Sequence, residues 1–337
     1  ESWITRHSLG REKFLEKVWE WVKFSRSTIV SQIQAVWSSV DWSREQFTLS
    51  EKLSRAVRKS FVNLYNSNKI YQSSYIINWC PRCQTVLSDL EVEYQEQKSN
   101  LYHIRYFIEW KGDSITVATV RPETMFGDVA VAVHPKDRRY KKFIWKNVLI
   151  PIINRPIPVI ADEHVEVWFG TWALKITPAH DPADYEIWKK HNLPLDYFAI
   201  DKDWKLTDLA WEFAGKDVEE VFDNIVQYLW EIWNLEKKEE YVNNVPKCER
   251  CWTRLQPLVS KQWFIDVDEY AKKSIDLVKS WEVKIYWERF NKVYFEWLEN
   301  IRPGCISRQL WRWHRTPVWY CSNWHSSVLE ESFIHEQ

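Results

Sequence analysis

The sequence has few glycines and almost no methionine. Its 337 residues include 6 glycines and a single methionine, Met125. Ordinary usage of roughly 7% would give about 24 glycines in a chain of this length. Because Met125 lies deep inside the sequence, the chain has no initiator residue, and we expect it to be an internal piece of a longer protein.

Long apolar runs are also missing. No stretch approaches the roughly 18 consecutive apolar residues of a membrane helix, and no signal-peptide pattern opens the chain. We therefore expect a cytoplasmic location and no membrane partner. The 46 basic and 47 acidic side chains leave a net charge of −1. A nucleic-acid partner would have to bind local basic patches, because no global field attracts it.

Tryptophan is as abundant as glycine is scarce, with 24 residues. Several tryptophans occupy positions where the backbone favours glycine. Trp37 follows a long amphipathic pattern at the expected helix end, Trp204 lies in the turn-like sequence DKDWKL, and Trp252 directly follows a Cys-x-x-Cys pair. A bulky residue with positive φ costs about 1–2 kcal/mol. We hypothesise that the gene encodes glycine with one codon, UGA, which has been translated here as tryptophan.

The apolar periodicity changes along the chain. Helical spacing predicts helices over 10–36, 50–66, 216–240 and 264–300. Between the second and third of these, alternation over 101–109 predicts a strand. Further β-rich segments read SITVATV, DVAVAVHP, NVLIPII, IPVIAD and ALKITP, and RTPVWYC follows near the C-terminus. This cluster of short strands predicts a β-barrel-like domain with few helices, and the length allows two or three domains.

Two Cys-x-x-Cys pairs indicate a metal site. WCPRC at 79–83 and KCERCW at 247–252 supply Cys80, Cys83, Cys248 and Cys251. Two thiolates on one knuckle can occupy two corners of a Zn²⁺ tetrahedron. The long gap between the pairs is natural if an inserted domain hangs from a ribbon, with the metal joining its first and last strands. Two unrelated pairs, or disulfides, remain open as alternatives.

Two polar motifs carry the candidate chemistry. TVRPETMFGD at 119–128 and ITPAHDPADYEIW at 176–188 each join a strand-like run to a Pro-marked turn that can open a helix. With the preceding lysine, they collect a mixture suited to holding an ammonium group beside a phosphate-rich ligand: Arg121, Thr124, Lys175, His180, Asp181 and Asp184. For Asp181, followed by Pro182, a purely structural interpretation as a helix N-cap also stays open.

At these motifs the chain resembles the editing domain of valyl-tRNA synthetases, which hydrolyses wrongly charged tRNA. QWF at 262–264 and CISRQLW at 305–311 extend the resemblance through almost the whole chain. Isoleucyl- and leucyl-tRNA synthetases share the architecture, but their editing strands usually read with a Trp-Thr-Leu or Asp-Thr-Leu core. The resemblance implies an α/β multidomain protein. In it, a β-barrel-like editing domain on a zinc-ribbon stem is inserted in a split Rossmann-type catalytic domain, present here only in part.

The resemblance also implies a division of the chain. Residues 1–75 would be the helical connection from the first catalytic half, 76–100 and 243–262 the zinc-ribbon stem, 101–242 the editing domain, and 263–337 the start of the second catalytic half. The ATP-binding motifs HIGH and KMSKS are absent from this sequence. ATP and Mg²⁺ are therefore expected only in an intact, monomeric parent enzyme, and the fragment alone is not expected to aminoacylate tRNA.

The resemblance implies roles for individual residues. Asp184 would grip the α-ammonium group of the misplaced amino acid, with Asp181 beside it and Thr124 facing the substrate. Arg121 and Lys175 would contact the terminal adenosine and its phosphates. Thr177 and Phe169 complete the set that binds the tRNA 3′ end, and the four cysteines bind structural zinc. His180 is expected to be a structural hydrogen-bonding residue. No Ser-His-Asp or Cys-His set is evident, so water would attack the ester directly.

The implied function is hydrolysis of Thr-tRNA(Val), in a parent enzyme that ligates valine to tRNA with ATP. Valyl-tRNA synthetases, the standard example of this problem, need a second hydrolytic site because a valine pocket rejects isosteric threonine by only about 10²-fold. Two alternatives stay open: a free-standing deacylase that edits in trans, and a zinc-ribbon RNA-binding module without catalysis. Flanking HIGH and KMSKS motifs in the gene would identify the ligase.

The family pattern also sorts the tryptophans. The positions where tryptophan belongs are Trp19, Trp21, Trp42, Trp79, Trp263, Trp297, Trp311 and Trp319. The positions where glycine is usual or plausible are Trp3, Trp37, Trp110, Trp145, Trp168, Trp172, Trp188, Trp204, Trp211, Trp230, Trp233, Trp252, Trp281, Trp313 and Trp324. Trp287 fits neither group.

Overall fold

The computed structural model describes residues 6–109, 112–165, 171–323 and 325–330. The helices are α1 (Arg6–Leu9), α2 (Arg11–Ala35), α3 (Glu51–Asn66), α4 (Pro182–His191), α5 (Val218–Glu231), α6 (Asp268–Lys279) and α7 (Arg289–Glu299). The strands are β1 (Ile70–Cys80), β2 (Thr85–Leu87), β3 (Val92–Phe107), β4 (Ser114–Thr119), β5 (Ala130–Val133), β6 (Asn147–Leu149), β7 (Pro156–Ala161), β8 (Ala173–Ile176), β9 (Leu235–Cys248), β10 (Gln256–Ile265), β11 (Gly304–Cys305), β12 (Val318–Tyr320) and β13 (Ser326–Val328). Within those ranges no helix combines the length and the apolar composition needed to cross a bilayer.

The helices predicted over 10–36 and 50–66 are confirmed as α2 and α3. The hydroxyl of Ser50 caps α3 by accepting a hydrogen bond from the Leu53 N–H at 3.4 Å. The helix predicted over 216–240 is too long, because α5 ends at Glu231 and β9 begins at Leu235. The segment 264–300 forms two helices, α6 and α7, rather than one. Charged residues such as those of 236–240 fit an exposed strand as well as a helix, so periodicity placed the end of α5 too late in the chain.

The chain divides into two compact units. One consists of Glu1–Gln72 with Trp263–Gln337, and the other of Ser73–Gln262. In the first unit the ring of Phe61 on α3 packs edge-on against Trp263 at 5.6 Å between centroids. In the same unit β10 pairs with β11, placing Phe264 opposite Cys305, and β12 and β13 form a hairpin.

The second unit contains two sheets that share one core. In the order β4-β3-β9, the long β3 and β9 form an antiparallel ribbon from the Val92–Cys248 pair to the Ile104–Leu235 pair. In the order β6-β7-β5-β8, only β5 and β7 are parallel. Both sheets bury side chains in one cluster, which includes Tyr106 from β3 and Val131 from β5.

The β-barrel-like prediction needs correction. Within the described ranges the strands form open sheets and no closed barrel. Among the described residues, one isolated bridge, between Ile108 and Val148, joins the sheet β4-β3-β9 to the sheet β6-β7-β5-β8. The alternating pattern identified the strands because it reports which side chains are buried. It carries no information on whether the outer strands pair with each other.

The backbone separates the two tryptophan groups. Of the tryptophans that the structure describes, nine have positive φ, between 53° and 71°: Trp37, Trp145, Trp172, Trp204, Trp211, Trp233, Trp252, Trp281 and Trp287. Eight of them belong to the group where glycine is expected, and the ninth is the unassigned Trp287. None of the eight positions where tryptophan is expected has positive φ. Trp188, Trp230 and Trp313 are described members of the glycine group without positive φ. The conformations therefore support the codon hypothesis.

Candidate functional site

A fully buried carboxylate lies at the centre of the candidate site. Asp128 follows the short 3₁₀ helix Pro122–Gly127 and is 0% exposed. Its Oδ2 accepts a hydrogen bond from the Tyr106 hydroxyl at 2.6 Å, and its Oδ1 accepts one from the Thr177 hydroxyl at 2.6 Å. Sequence reasoning assigned no role to Asp128 or Tyr106. The available signal was an acidic residue placed directly before the apolar run VAVAV.

Lys175 neutralises this carboxylate. Its Nζ lies 3.3 Å from Asp128 Oδ1, donates to Thr124 Oγ1 at 2.8 Å, and also bonds the Thr177 hydroxyl. Residues 175 and 177 share one face because alternate residues of β8 point the same way. The structure thus brings together three of the predicted residues, Thr124, Lys175 and Thr177, around Asp128. Burial raises the pKa of Asp128, and the Lys175 ammonium and the hydroxyls of Thr177 and Tyr106 oppose that rise.

Asp184 joins the same group from the first turn of α4. Its Oδ2 accepts a hydrogen bond from the Thr177 N–H at 2.8 Å, and the residue is 5% exposed. Among the residues that the structure describes, no donor bonds its other oxygen, Oδ1. Burial raises the pKa of Asp184 well above its usual range, neighbouring Asp181 raises it further, and the Lys175 ammonium opposes the rise.

Asp181 is the N-cap of α4. Its Oδ1 accepts hydrogen bonds from the N–H groups of Ala183 at 2.8 Å and Asp184 at 3.1 Å. The capping interpretation is therefore confirmed, and the carboxylate is exposed. The catalytic role implied for Asp181 stays a prediction.

Arg121 points toward β10 rather than toward Asp128. Its guanidinium donates to Glu123 Oε1 at 3.0 Å, to the His180 carbonyl at 3.3 Å and to Gln256 Oε1 at 2.6 Å. These bonds connect both motifs to β10. The nucleotide contact that the resemblance implies for Arg121 stays a prediction, and any such ligand would compete with these protein acceptors.

His180 is a neutral structural residue, as the sequence predicted. Its Nε2 accepts hydrogen bonds from the N–H groups of Ala199 at 2.9 Å and Ile200 at 3.2 Å. Its Nδ1 lies 2.8 Å from the amide nitrogen of Gln256 and 3.3 Å from the Pro257 carbonyl oxygen. Burial, followed by the charge of Arg121, lowers the pKa of His180 to about 3. An imidazole with both nitrogens occupied in this way cannot activate a nucleophile.

Gly127 lets the first motif pack closely against the chain near Tyr197. A Cβ at this position would lie 2.8 Å from the Tyr197 carbonyl oxygen, so a side chain would force the backbone apart. Arg155 fixes the same turn by donating to the carbonyls of Phe126 at 2.8 Å and Asp128 at 2.9 Å. Its guanidinium also lies 3.7 Å from the Tyr197 ring centroid. Phe169, the remaining predicted binding residue, lies outside the described residues.

The four predicted metal ligands come together at the far end of the β3–β9 ribbon. The sulfur atoms of Cys80, Cys83, Cys248 and Cys251 all lie within 4.8 Å of one another, and Cys80 Sγ and Cys251 Sγ are 3.5 Å apart. Four thiolates about 2.3 Å from one Zn²⁺ would be about 3.8 Å apart. All four cysteines are free rather than disulfide-bonded. Four free sulfur atoms grouped in this way can hold a metal ion. Disulfides would not require all four sulfur atoms to come together.

The arrangement as a whole can hold a cation. One oxygen of Asp184 is fixed by a backbone N–H, while the other has no protein donor among the described residues. A lysine–carboxylate pair and two threonine hydroxyls lie beside it. A ligand bearing an ammonium group could pair with Asp184, and the hydroxyls could orient a polar group or a water molecule.

Known proteins resemble the chain over nearly its full length. The family model described as tRNA synthetases class I (I, L, M and V) matches residues 2–336. A valine–tRNA ligase of Thermotoga maritima is 50% identical over 97% of this chain and 38% of the relative. One of Clostridium acetobutylicum is 47% identical over 97% of this chain and 37% of the relative. The chain thus spans well under half the length of these relatives. A LeuRS chain in a LeuRS–tRNA–LeuAMS complex of Agrobacterium radiobacter K84 covers 70% of this chain and 40% of its own length, with 15% identity and a TM-score of 0.34, too low to support an argument.

Proposed function

The chain belongs to the class I tRNA synthetases of the I, L, M and V family, and from this premise we propose that it is the editing part of a valine–tRNA ligase. In this proposal it hydrolyses the ester bond of threonine wrongly attached to tRNA(Val). The observation that carries the proposal is the Asp184 carboxylate, which has one oxygen fixed by the Thr177 N–H and the other without a donor in the part of the chain that the structure describes.

Asp184 binds the α-ammonium group of the misplaced amino acid. A buried carboxyl with a raised pKa is costly to ionise alone, and a cationic ligand removes that cost by supplying the opposite charge. The site therefore favours an amino acid with a free α-amine. An uncharged acyl group would leave Asp184 unpaired and would bind less tightly.

The hydroxyls of Thr124 and Thr177 orient the reacting groups. Both are held by the Lys175 ammonium, which Asp128 fixes in turn. The oxygen of water bonds to the ester carbonyl carbon, and the bond from that carbon to the tRNA ribose oxygen breaks. The ribose oxygen takes up a proton from the attacking water and leaves as a hydroxyl, which releases free threonine. The threonine hydroxyl distinguishes this substrate from valine, for which the synthetic site discriminates by only about 10²-fold, roughly 2.7 kcal/mol.

The four cysteines bind a structural Zn²⁺. Their thiolates match its preference for sulfur and a tetrahedron, and the ion would join the ends of β1 and β9. The metal supports the ribbon and takes no part in hydrolysis. ATP, Mg²⁺ and ligation of valine to tRNA belong to the whole parent enzyme, in which the Rossmann-type halves are complete.

Deacylation of Thr-tRNA(Val) tests the proposal. Asp184→Asn keeps the shape and an acceptor for the Thr177 N–H but removes the charge, so we expect the rate to fall about 10²-fold or more. The matched control is Glu186→Gln, an exposed acid on the same helix α4, which should retain the rate. Val-tRNA(Val) should be hydrolysed far more slowly than Thr-tRNA(Val). An unchanged rate for Asp184→Asn would remove the residue from the mechanism, and absence of hydrolysis with intact tRNA binding would favour the RNA-binding module.

A further inference from the structure

The segment of residues 134–147, here named the basic segment, concentrates positive charge in a chain whose net charge is −1. Its sequence is HPKDRRYKKFIWKN, in which Asp137 is the only acid. The basic residues are Lys136, Arg138, Arg139, Lys141, Lys142 and Lys146. The first five of these are exposed, so the charge faces solvent.

Most of this charge has no acidic partner within the described ranges of the chain. Asp137 is buried and is held by Arg139, whose Nη2 lies 2.7 Å from its Oδ2. Lys142 lies 3.4 Å from Asp113, in a pair exposed on both sides. Lys136, Arg138 and Lys141 pair with no acid among the described residues. Like charges held this close repel one another, and a polyanionic partner would relieve the repulsion.

The basic segment is attached to the strand that carries Lys175. It begins directly after β5, whose last residue, Val133, pairs with Ala173 at the start of β8. Arg139 Nη2 and the Tyr140 hydroxyl both donate to the Thr171 carbonyl, at 3.3 Å and 3.2 Å. Lys175 lies four residues beyond Thr171, so the segment is separated from the candidate site by a strand length of about 13 Å.

We propose that the basic segment binds the phosphates of the RNA strand whose 3′ end enters the candidate site. The identification of this strand as tRNA rests on the proposed function. The charge and position of the basic segment are independent of that function. The contacts are to phosphates, because a cluster of exposed lysine and arginine side chains binds the charged backbone whatever its sequence. The segment thus supplies the local basic patch that a chain of near-zero net charge needs to hold RNA.

The affinity of the full chain for a tRNA(Val) transcript without an attached amino acid, measured at several salt concentrations, tests this surface. The variant replaces the three unpaired cations with glutamine: Lys136→Gln, Arg138→Gln and Lys141→Gln. Each lost phosphate contact reduces the slope of log K against log salt by about 0.7 on a single strand, so the slope should fall by about 2. The same relation gives a loss of about 100-fold in affinity near 0.1 M salt. The matched control removes equal charge from exposed lysines of the same unit: Lys98→Gln, Lys205→Gln and Lys216→Gln.

The outcomes separate this proposal from the proposed function. A reduced slope in the basic-segment variant but not in the control supports the surface, whether or not the chain hydrolyses Thr-tRNA(Val). An unchanged slope, or an equal change in both variants, overturns it even if hydrolysis is observed. At enzyme concentrations that saturate binding, the variant should retain the single-turnover hydrolysis rate. Loss of that rate with normal affinity would also overturn the proposal.

Discussion

Replacing Trp37 with glycine should stabilise the protein. Trp37 follows the C-cap of α2 with a φ of 57° and is 91% exposed, so its indole buries almost no surface. Its N–H donates to the Gln34 carbonyl at 3.0 Å, and the Ser38 N–H donates to the Ile33 carbonyl at 3.4 Å. Helix α3 ends in the same way with Asn68, also at a φ of 57°. At such helix ends glycine is the usual residue and asparagine the usual alternative.

The expected gain follows from two opposing terms. Removing the side chain at a left-handed position relieves about 1–2 kcal/mol of steric strain. The greater freedom of glycine in the unfolded chain returns about 0.5–1 kcal/mol of this. Trp37→Gly should therefore raise the free energy of unfolding by about 0.5–1 kcal/mol. Asn68→Gly should change it by only a few tenths of a kcal/mol, because asparagine tolerates this conformation.

Trp263 provides the opposite control within the same unit. It is 8% exposed and packs against the rings of Phe61 and Tyr65 at 5.6 Å and 6.0 Å. Trp263→Gly should lower the free energy of unfolding by about 3–5 kcal/mol, as large-to-small changes in a core do. The two tryptophan substitutions are thus expected to have opposite signs.

Urea unfolding followed by far-UV circular dichroism measures both effects without relying on tryptophan fluorescence. A Trp37→Gly variant that is less stable than the parent would refute the reasoning from backbone strain. The gene offers an independent check: the nine positive-φ tryptophans should share a codon that the eight expected tryptophans lack. A random mixture of codons across the two groups would end the codon hypothesis.

Four other outcomes are expected. Because the folded-state pKa of Asp184 is raised, the stability that its carboxyl contributes is lost as pH rises through that pKa. Urea unfolding at increasing pH should therefore show a smaller decrease in the free energy of unfolding for Asp184→Asn than for the parent protein. The folded-state pKa of His180, about 3, lies below its ordinary value, so its contribution is complete above about pH 6.5 and declines as pH falls toward 3. The imidazole should therefore show no NMR titration near neutral pH. Asp128→Asn, which leaves the Lys175 ammonium buried without its charge partner, should cost about 3–5 kcal/mol in urea unfolding, and adding Lys175→Met should recover part of that loss. Cys248→Ser should reduce bound zinc, measured by atomic emission, whereas an unchanged metal content would contradict the four-cysteine site.

Local patterns predicted the elements whose signals are short-ranged. Helices α2 and α3, the second half of β3 and the strands from β4 to β8 follow from the local pattern, because spacing alone decides which side chains share a face. The failures occurred where several structures satisfy one pattern. The charged run at 236–240 is compatible with an exposed strand and with a helix, and tertiary pairing with β3 selected the strand.

The candidate site was predictable only in part. Thr124, Thr177 and Asp184 lie in two recognisable motifs and Lys175 directly precedes the second, so the sequence could nominate them. Their arrangement depends on Asp128, which sequence reasoning left out. A buried acid next to an apolar run carries no sign of the distant residues that satisfy it. Tyr106 and Gln256, whose partners lie far along the chain, were missed for the same reason.

The sequence by itself determined the residue types available for chemistry, the spacing of each cysteine pair and the scarcity of glycine. These are properties of composition or of neighbours a few positions apart. Only the tertiary structure decided that both cysteine pairs meet, that Asp128 neutralises Lys175, and which tryptophans have positive φ. Such outcomes depend on the pairing of distant strands and on the path of the backbone, which create contacts that no local pattern encodes.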